Sequence, residues 1–285
     1  MKDIENLKEL AKDLPKEVKD KALALVELMG TVVEGIGDTP IEWRPDFLKI
    51  LQGTSDRSKY GKTTPIGAMI VGEEVLPASV DVYPIMMWKG RQYWSPDQTE
   101  AKILCSSPNA EMGYLGYKCS ECPHSKWEDG KSDCATVWHV AVITADLSKL
   151  FIINFSKTAY VTGTTWKGYM TKAMKPPYMR VYALTTETHK QYKNVEALVV
   201  TPYNPSDKKT PDNIAPFLEA LYKRFDADRK EHVAAFMELA ASRGARVAAQ
   251  LADKSEDTQL LAATVEVQPA EVSTGQKDLA SKYTM

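Results

Sequence analysis

Apolar residues recur at helical spacing from the start of the chain: Ile4, Leu7, Leu10, Ala11 and Leu14, then Val18, Ala22, Leu25 and Met29. Charged residues fill the positions between them, so the pattern predicts two short helices or a helical hairpin over the first thirty or so residues. Pro15 soon after Asp13 fits a helix start, and Gly30 a stop. From Val80 the period becomes that of strands. Val80, Val82, Tyr83 and Ile85 lead to Trp88, a Lys89-Gly90 turn, and then Arg91, Tyr93 and Trp94, which predicts a hairpin. Val137 to Ala145 and Leu150 to Phe155, separated by Asp146-Leu147-Ser148-Lys149, predict a second hairpin. A helix is expected from Lys157 to Met174, weakened by Gly163 and nearby threonines and stopped by Pro176-Pro177. Met179 to Thr186 and Val195 to Thr201 read as two more strands.

The C-terminal third returns to helical spacing. Ile214 to Phe225 is expected as one helix and Asp228 to Ala252 as a second, with Val233, Phe236, Met237, Ala240, Val247 and Leu251 on one face. Beyond Lys254 periodicity is lost and Thr, Ser, Ala, Gln and Glu dominate, as in a flexible tail. The expected organisation is a helical segment over 1–40, a β domain over 41–205, helices over 206–252 and a tail over 253–285. Within the β domain, three strands, a helix and two strands, the first three interrupted by a long loop, predict an α+β fold. The specific expectation is an OB-like five-stranded β-barrel; a small antiparallel sheet is the alternative.

Composition narrows the function classes. Of 285 residues 26% are charged, yet the net charge is only −2, so any polyanion site must be a local patch. The first 29 residues lack the apolar core of a signal peptide, and no run is long enough to span a bilayer. A cytoplasmic protein without membrane contact is expected. In that reducing compartment four cysteines read as metal ligands or thiols rather than disulfides.

Cys105, Cys119, Cys122 and Cys134 place a central C-x-x-C knuckle between two outer cysteines, in a loop over 105–134 rich in Gly, Ser, Pro and Asn. Four thiolates around one tetrahedral zinc ion would close the site to water and supply folding energy that the loop's small apolar surface cannot. The expected cofactor is therefore one structural Zn2+. A redox dithiol at Cys119 and Cys122 is the alternative, though it leaves the outer pair unexplained; His124 or His139 could replace one sulfur.

Between Phe151 and Lys193 the charged residues are Lys157, Lys167, Lys172, Lys175, Arg180, Lys190 and Lys193, opposed only by Glu187. Tyr160, Trp166, Tyr169, Tyr178, Tyr182 and Tyr192 are interleaved with them. A single-strand binding surface mixes residues in this way, lysines tracking phosphates and rings stacking bases. Trp88, Lys89, Arg91 and Trp94 repeat the chemistry in the first predicted hairpin. The competing reading puts the rings in the core and the lysines on a solvated face.

Tyr60-Gly61-Lys62-Thr63 ends like a nucleotide-binding Gly-rich loop but has Asp56 where the first glycine belongs. With no H-E-x-x-H, nucleophile elbow or two-metal carboxylate helix, an enzyme is not expected.

Arg44-Pro45-Asp46-Phe47-Leu48-Lys49-Ile50-Leu51-Gln52, then Trp88 and Tyr93-Trp94, then Cys105, Cys119-Ser-Glu-Cys122-Pro123, Trp127, Gly130 and Cys134 form a series. It resembles a group of tailed-bacteriophage proteins labelled as single-stranded DNA-binding, over about Glu42 to Pro202. The resemblance implies a zinc-containing OB-like module acting on single-stranded DNA in phage replication or recombination, in the host cytoplasm, with the four cysteines as ligands. Self-association or replication proteins would be its further partners.

The reading is thus a non-catalytic single-stranded DNA-binding protein. Lys157, Lys167, Lys172, Lys175 and Arg180 would neutralise phosphates, and Trp88, Trp94, Trp166, Tyr169 and Tyr182 would include the stacking platform. Two alternatives remain. One is an assembly or host-takeover factor that binds protein; the other is a zinc-dependent transcription regulator using Arg229, Lys230, Arg243 and Arg246.

Overall fold

Two amphipathic helices open the chain, α1 over Lys2–Lys12 and α2 over Lys16–Met29. Pro15 occupies the N-cap of α2, and the Gly30 N–H closes it by donating to the Val26 and Glu27 carbonyls at 3.1 Å. The structure is a computed structural model that describes residues 2–33, 41–42, 44–53, 55, 59–61, 64–95, 103–126, 132–190, 195–202 and 210–254. The expected tail beyond Lys254 lies outside the described residues, as do Trp127, Gly130, Tyr192 and Lys193.

The strands are β1 (Val32–Val33), β2 (Ile41–Glu42), β3 (Asp46–Ile50), β4 (Met69–Val71), β5 (Glu74–Val75), β6 (Ser79–Trp94), β7 (Ile103–Ser107), β8 (Cys134–Thr144) and β9 (Leu150–Phe155). Helix α3 (Tyr160–Lys172) follows a 3-10 turn, and β10 (Tyr182–Thr188), β11 (Glu196–Pro202) and α4 (Ala215–Lys254) complete the described elements. β1 and β2 form a separate antiparallel pair. The others form a nine-stranded sheet in the order β11-β10-β6-β8-β9-β3-β4-β5, with β7 paired to β6. The fold is mixed α+β.

Three sequence expectations are corrected. Lys89-Gly90 is not a turn, because β6 runs unbroken from Ser79 to Trp94. Its first part pairs with β10, Val82 opposite Tyr182, and its last residues pair with β7, Arg91 opposite Ser107 and Tyr93 opposite Cys105. Each half thus has a partner for its backbone groups, and the chain has no need to fold back on itself. The sheet also exceeds five strands, since residues 46–75 add β3, β4 and β5, with β3 parallel to β9. Finally, the two C-terminal helices are one. Nothing in Asp226-Ala227-Asp228-Arg229 breaks the helix, and ion pairs Arg224–Asp228 and Arg229–Asp226 span the expected gap.

The chain divides into two compact units, one from 1–88 with 137–229, the other from 89–136 with 230–285. In the first unit the sheet carries a core on each face. On one side Tyr83, Ile85, Ala141, Ile143 and Leu150 meet Leu7, Ala11, Leu25 and Val26 of the N-terminal helices and Phe217, Leu218 and Leu221 of α4. On the other side Val82, Val140, Val142, Phe151, Ile153, Phe155 and Leu184 meet Trp166 and Met170 of α3. Gly163, which weakens α3 locally, is required there: a Cβ would stand 2.6 Å from the Phe155 Cβ. Among the described residues no helix is long and apolar enough to cross a membrane.

Candidate metal centre and aromatic surfaces

All four cysteines belong to the second unit, and none is bridged. β7 carries Cys105, and Cys134 begins β8. Cys119 is set by its N–H donating to the Glu111 carbonyl at 2.7 Å, just beyond the Met112–Lys118 bridge. Cys122 precedes a 3-10 turn, and its carbonyl accepts from the Ser125 N–H and hydroxyl at 3.0 and 2.8 Å. The turn that follows Cys105 is tight, because a Cβ on Gly113 would lie 2.9 Å from the Cys105 Sγ.

Burial pushes three of the thiols up. For Cys105 the Leu115 and Tyr114 N–H groups oppose the rise, while Cys119 and Cys122 add to it. For Cys119 the Ser107 hydroxyl and Arg91 oppose it and Cys122 adds. Cys134 is pushed up to about 11, despite Arg91, with Cys105 and Cys119 contributing. Each sulfur therefore lies within electrostatic reach of others, and N–H, hydroxyl and guanidinium donors converge on three of them. Among the described residues, however, no three His, Cys, Asp or Glu side chains stand close enough to hold an ion as placed. The donor set suits zinc in its chemistry: four soft sulfurs, with hydrogen-bond donors able to offset the charge of a tetrathiolate. His124 is stacked on Tyr93 at 4.2 Å with its Nδ1 3.6 Å from Asp133. His139 belongs to the first unit.

The same loop is braced by α4. Phe236 and Ala240 are buried, Arg243 lies 3.7 Å from the Tyr114 ring centroid, and Asn109 reaches the Met237 sulfur at 3.6 Å. Gly116 and Gly244 touch through their backbones, and a Cβ on Gly116 would be 2.4 Å from the Gly244 nitrogen. Arg243, a candidate duplex-reading residue, is thus engaged inside its own unit, and Arg229 pairs with Asp226.

The expected nucleic-acid residues separate into groups. Trp166 and Tyr182 are fully buried in the second core and offer no face to a base; their stacking role is withdrawn. Tyr169 is half-buried against the same core. Trp88 is half-buried and stacked on His139 at 5.3 Å, and Trp94 is half-buried opposite Ile103. Lys89, Lys157, Lys167, Lys172 and Lys175 are exposed, and Arg180 is half-buried. Arg91 is half-buried and near enough to Cys119 and Cys134 to oppose the rise of both thiols, which makes it a neighbour of those cysteines.

Two aromatic residues outside the expected stacking set stand on opposite faces of β8. His139 hydrogen-bonds Asn154 across the ladder at 2.6 Å, and burial holds its imidazole down to about 4, so it is neutral near pH 7. Trp138, half-buried, stacks on Tyr160 at 6.5 Å with planes 17° apart, donates to the Thr164 hydroxyl at 3.2 Å and has the Lys167 ammonium 4.6 Å above its ring. Strand alternation through Val137–Ala145 places the pair on different faces, but their partners come from β6, β9 and α3, which no local pattern reveals. Compared with family models, curated proteins and solved structures, the chain matches none.

Proposed function

We propose that this is a non-catalytic single-stranded DNA-binding protein with one structural zinc ion on Cys105, Cys119, Cys122 and Cys134. The observation that carries the reading is the path β11-β10-β6-β8-β9 with α3 between β9 and β10. Three strands, a helix and two strands along one curled path support an OB-like reading in which the barrel is left partly open, with β3 as an added parallel neighbour of β9. OB modules bind oligonucleotides through strand faces and connecting loops, relying on stacking and backbone charge. The exposed lysines of 157–175 support the same reading, since α3 contains no carboxylate to oppose them.

Zinc in this reading serves structure: it would fix the cysteine loop and leaves no position open for water, so chemistry at the metal is not invoked. The sequence resemblance to phage proteins suggests replication or recombination as the setting, in host cytoplasm, with self-association or replication proteins as further partners.

The test is tryptophan fluorescence during titration with an oligo-dT of about thirty nucleotides, repeated with duplex and at several salt concentrations. Quenching by the single strand that weakens steeply with salt is expected. No response to either DNA, together with no retardation in a gel, would sink the proposal and turn attention to protein partners.

A further inference from the structure

One aromatic side chain of the first unit, half-buried at the margin of the second core, stands beside the basic helix. On α3, Tyr160, Thr164, Lys167 and Thr171 fall at helical spacing along one stripe, next to the buried stripe of Gly163, Trp166 and Met170. Trp138 lies against the first stripe, held by the Thr164 hydrogen bond and flanked by the Tyr160 ring and the Lys167 ammonium. The remaining outward positions of the helix, Val161, Thr165 and Lys172, are exposed and include no acid. A ring, hydroxyls and ammonium groups without carboxylates are complementary to a nucleotide's base and phosphate together.

We infer that Trp138 is the base-stacking residue for single-stranded DNA, with Lys167 the phosphate contact beside it. The inference rests on the DNA-binding reading and assigns its site. In the unbound chain Lys167 occupies the position over the Trp138 ring that a base would take. An arriving phosphate draws the ammonium off the ring by the stronger attraction between full charges, and the face it leaves accepts the base. Binding therefore exchanges a cation–π contact for an ion pair and a stack, without a backbone rearrangement. The Tyr160 ring lies nearly parallel to the indole, centroids 6.5 Å apart and planes 17° apart.

Three proteins test this: the full chain, Trp138→Leu and Lys167→Gln, each titrated with the same oligo-dT across a salt series. Expected are affinity roughly 5–100-fold weaker for Trp138→Leu, from loss of one stack, and a salt slope shallower by about one for Lys167→Gln. Most of the fluorescence quenching should vanish with Trp138. Lys167 is exposed, so its substitution keeps the fold and decides the matter even if Trp138→Leu unfolds. If the full chain binds the single strand and Lys167→Gln matches it in affinity and slope, the site lies elsewhere while the DNA-binding reading stands. If the full chain does not bind, the reading fails and the inference with it.

Discussion

The carboxamide of Gln52 pairs with the backbone of Glu196 in both directions, Nε2 donating to the Glu196 carbonyl at 3.0 Å and the Glu196 N–H donating to Oε1 at 2.7 Å. Gln52 lies just beyond β3, and Glu196 begins β11, an end of the strand order. A side-chain amide thus serves as one rung of a ladder and ties the curled sheet where strand pairing is missing. The Thr186 hydroxyl adds a bond to the Gly67 carbonyl at 2.8 Å nearby.

Gln52→Ala should therefore cost about 1–3 kcal/mol, since it leaves two half-buried backbone groups of Glu196 without partners. Urea unfolding measures it. Gln52→Glu keeps the acceptor but loses the donor and should be nearly as damaging; a midpoint unchanged in both variants would mean that water replaces the amide without penalty.

Two helical glycines should respond in opposite directions to alanine. A Cβ added at Gly168 in α3 would meet nothing within 4 Å, so Gly168→Ala gains up to about 1 kcal/mol of helix propensity. At Gly244 a Cβ would stand 2.8 Å from the Gly116 carbonyl oxygen, and the same propensity gain is outweighed by displacement of α4 from the cysteine loop. Thermal unfolding should show the first variant above the parent and the second below it, with faster proteolysis of the loop in Gly244→Ala.

The proposal of a zinc ion on the four cysteines is tested by metal content. Protein purified under reducing conditions should carry about one zinc ion per chain, and Cys119→Ser should lose most of it. Chelation followed by alkylation should expose the loop to protease, because binding energy that orders the loop is then gone. Metal analysis that finds no zinc in the reduced parent protein would refute the assignment.

His139 makes stability depend on pH over a defined window. Its folded value is lowered by burial from 6.5 to about 4, so the unfolded chain binds more protons between those values. The neutral ring's contribution is complete above about 6.5 and is lost as pH falls toward about 4, a loss on the order of 1–3 kcal/mol. His139→Gln should flatten that part of the profile. Chemical unfolding of both proteins at pH 7.5 and 5 provides the comparison, and parallel profiles would show that other groups set the acid limit.

The sequence by itself determined the elements whose pattern is local. The helices α1 and α2, the β8–β9 hairpin around Asp146, α3 ending before Pro176-Pro177, and the strands β10 and β11 follow from periodicity and local turn or stop signals. The cysteine spacing was equally legible. Tertiary structure decided the rest, because the same local pattern is compatible with more than one set of partners. Lys89-Gly90 could turn or continue, and pairing with β10 and β7 makes it continue. Alternation gives a strand two faces without saying which is covered: Tyr182 went to the core, while Trp138 met a lysine at the edge of α3. Trp166 and Lys167, adjacent in sequence, point to the interior and to solvent because α3 buries only one stripe against Phe155. Burial belongs to the assembled layers, and only their packing selects which rings and charges remain for a ligand.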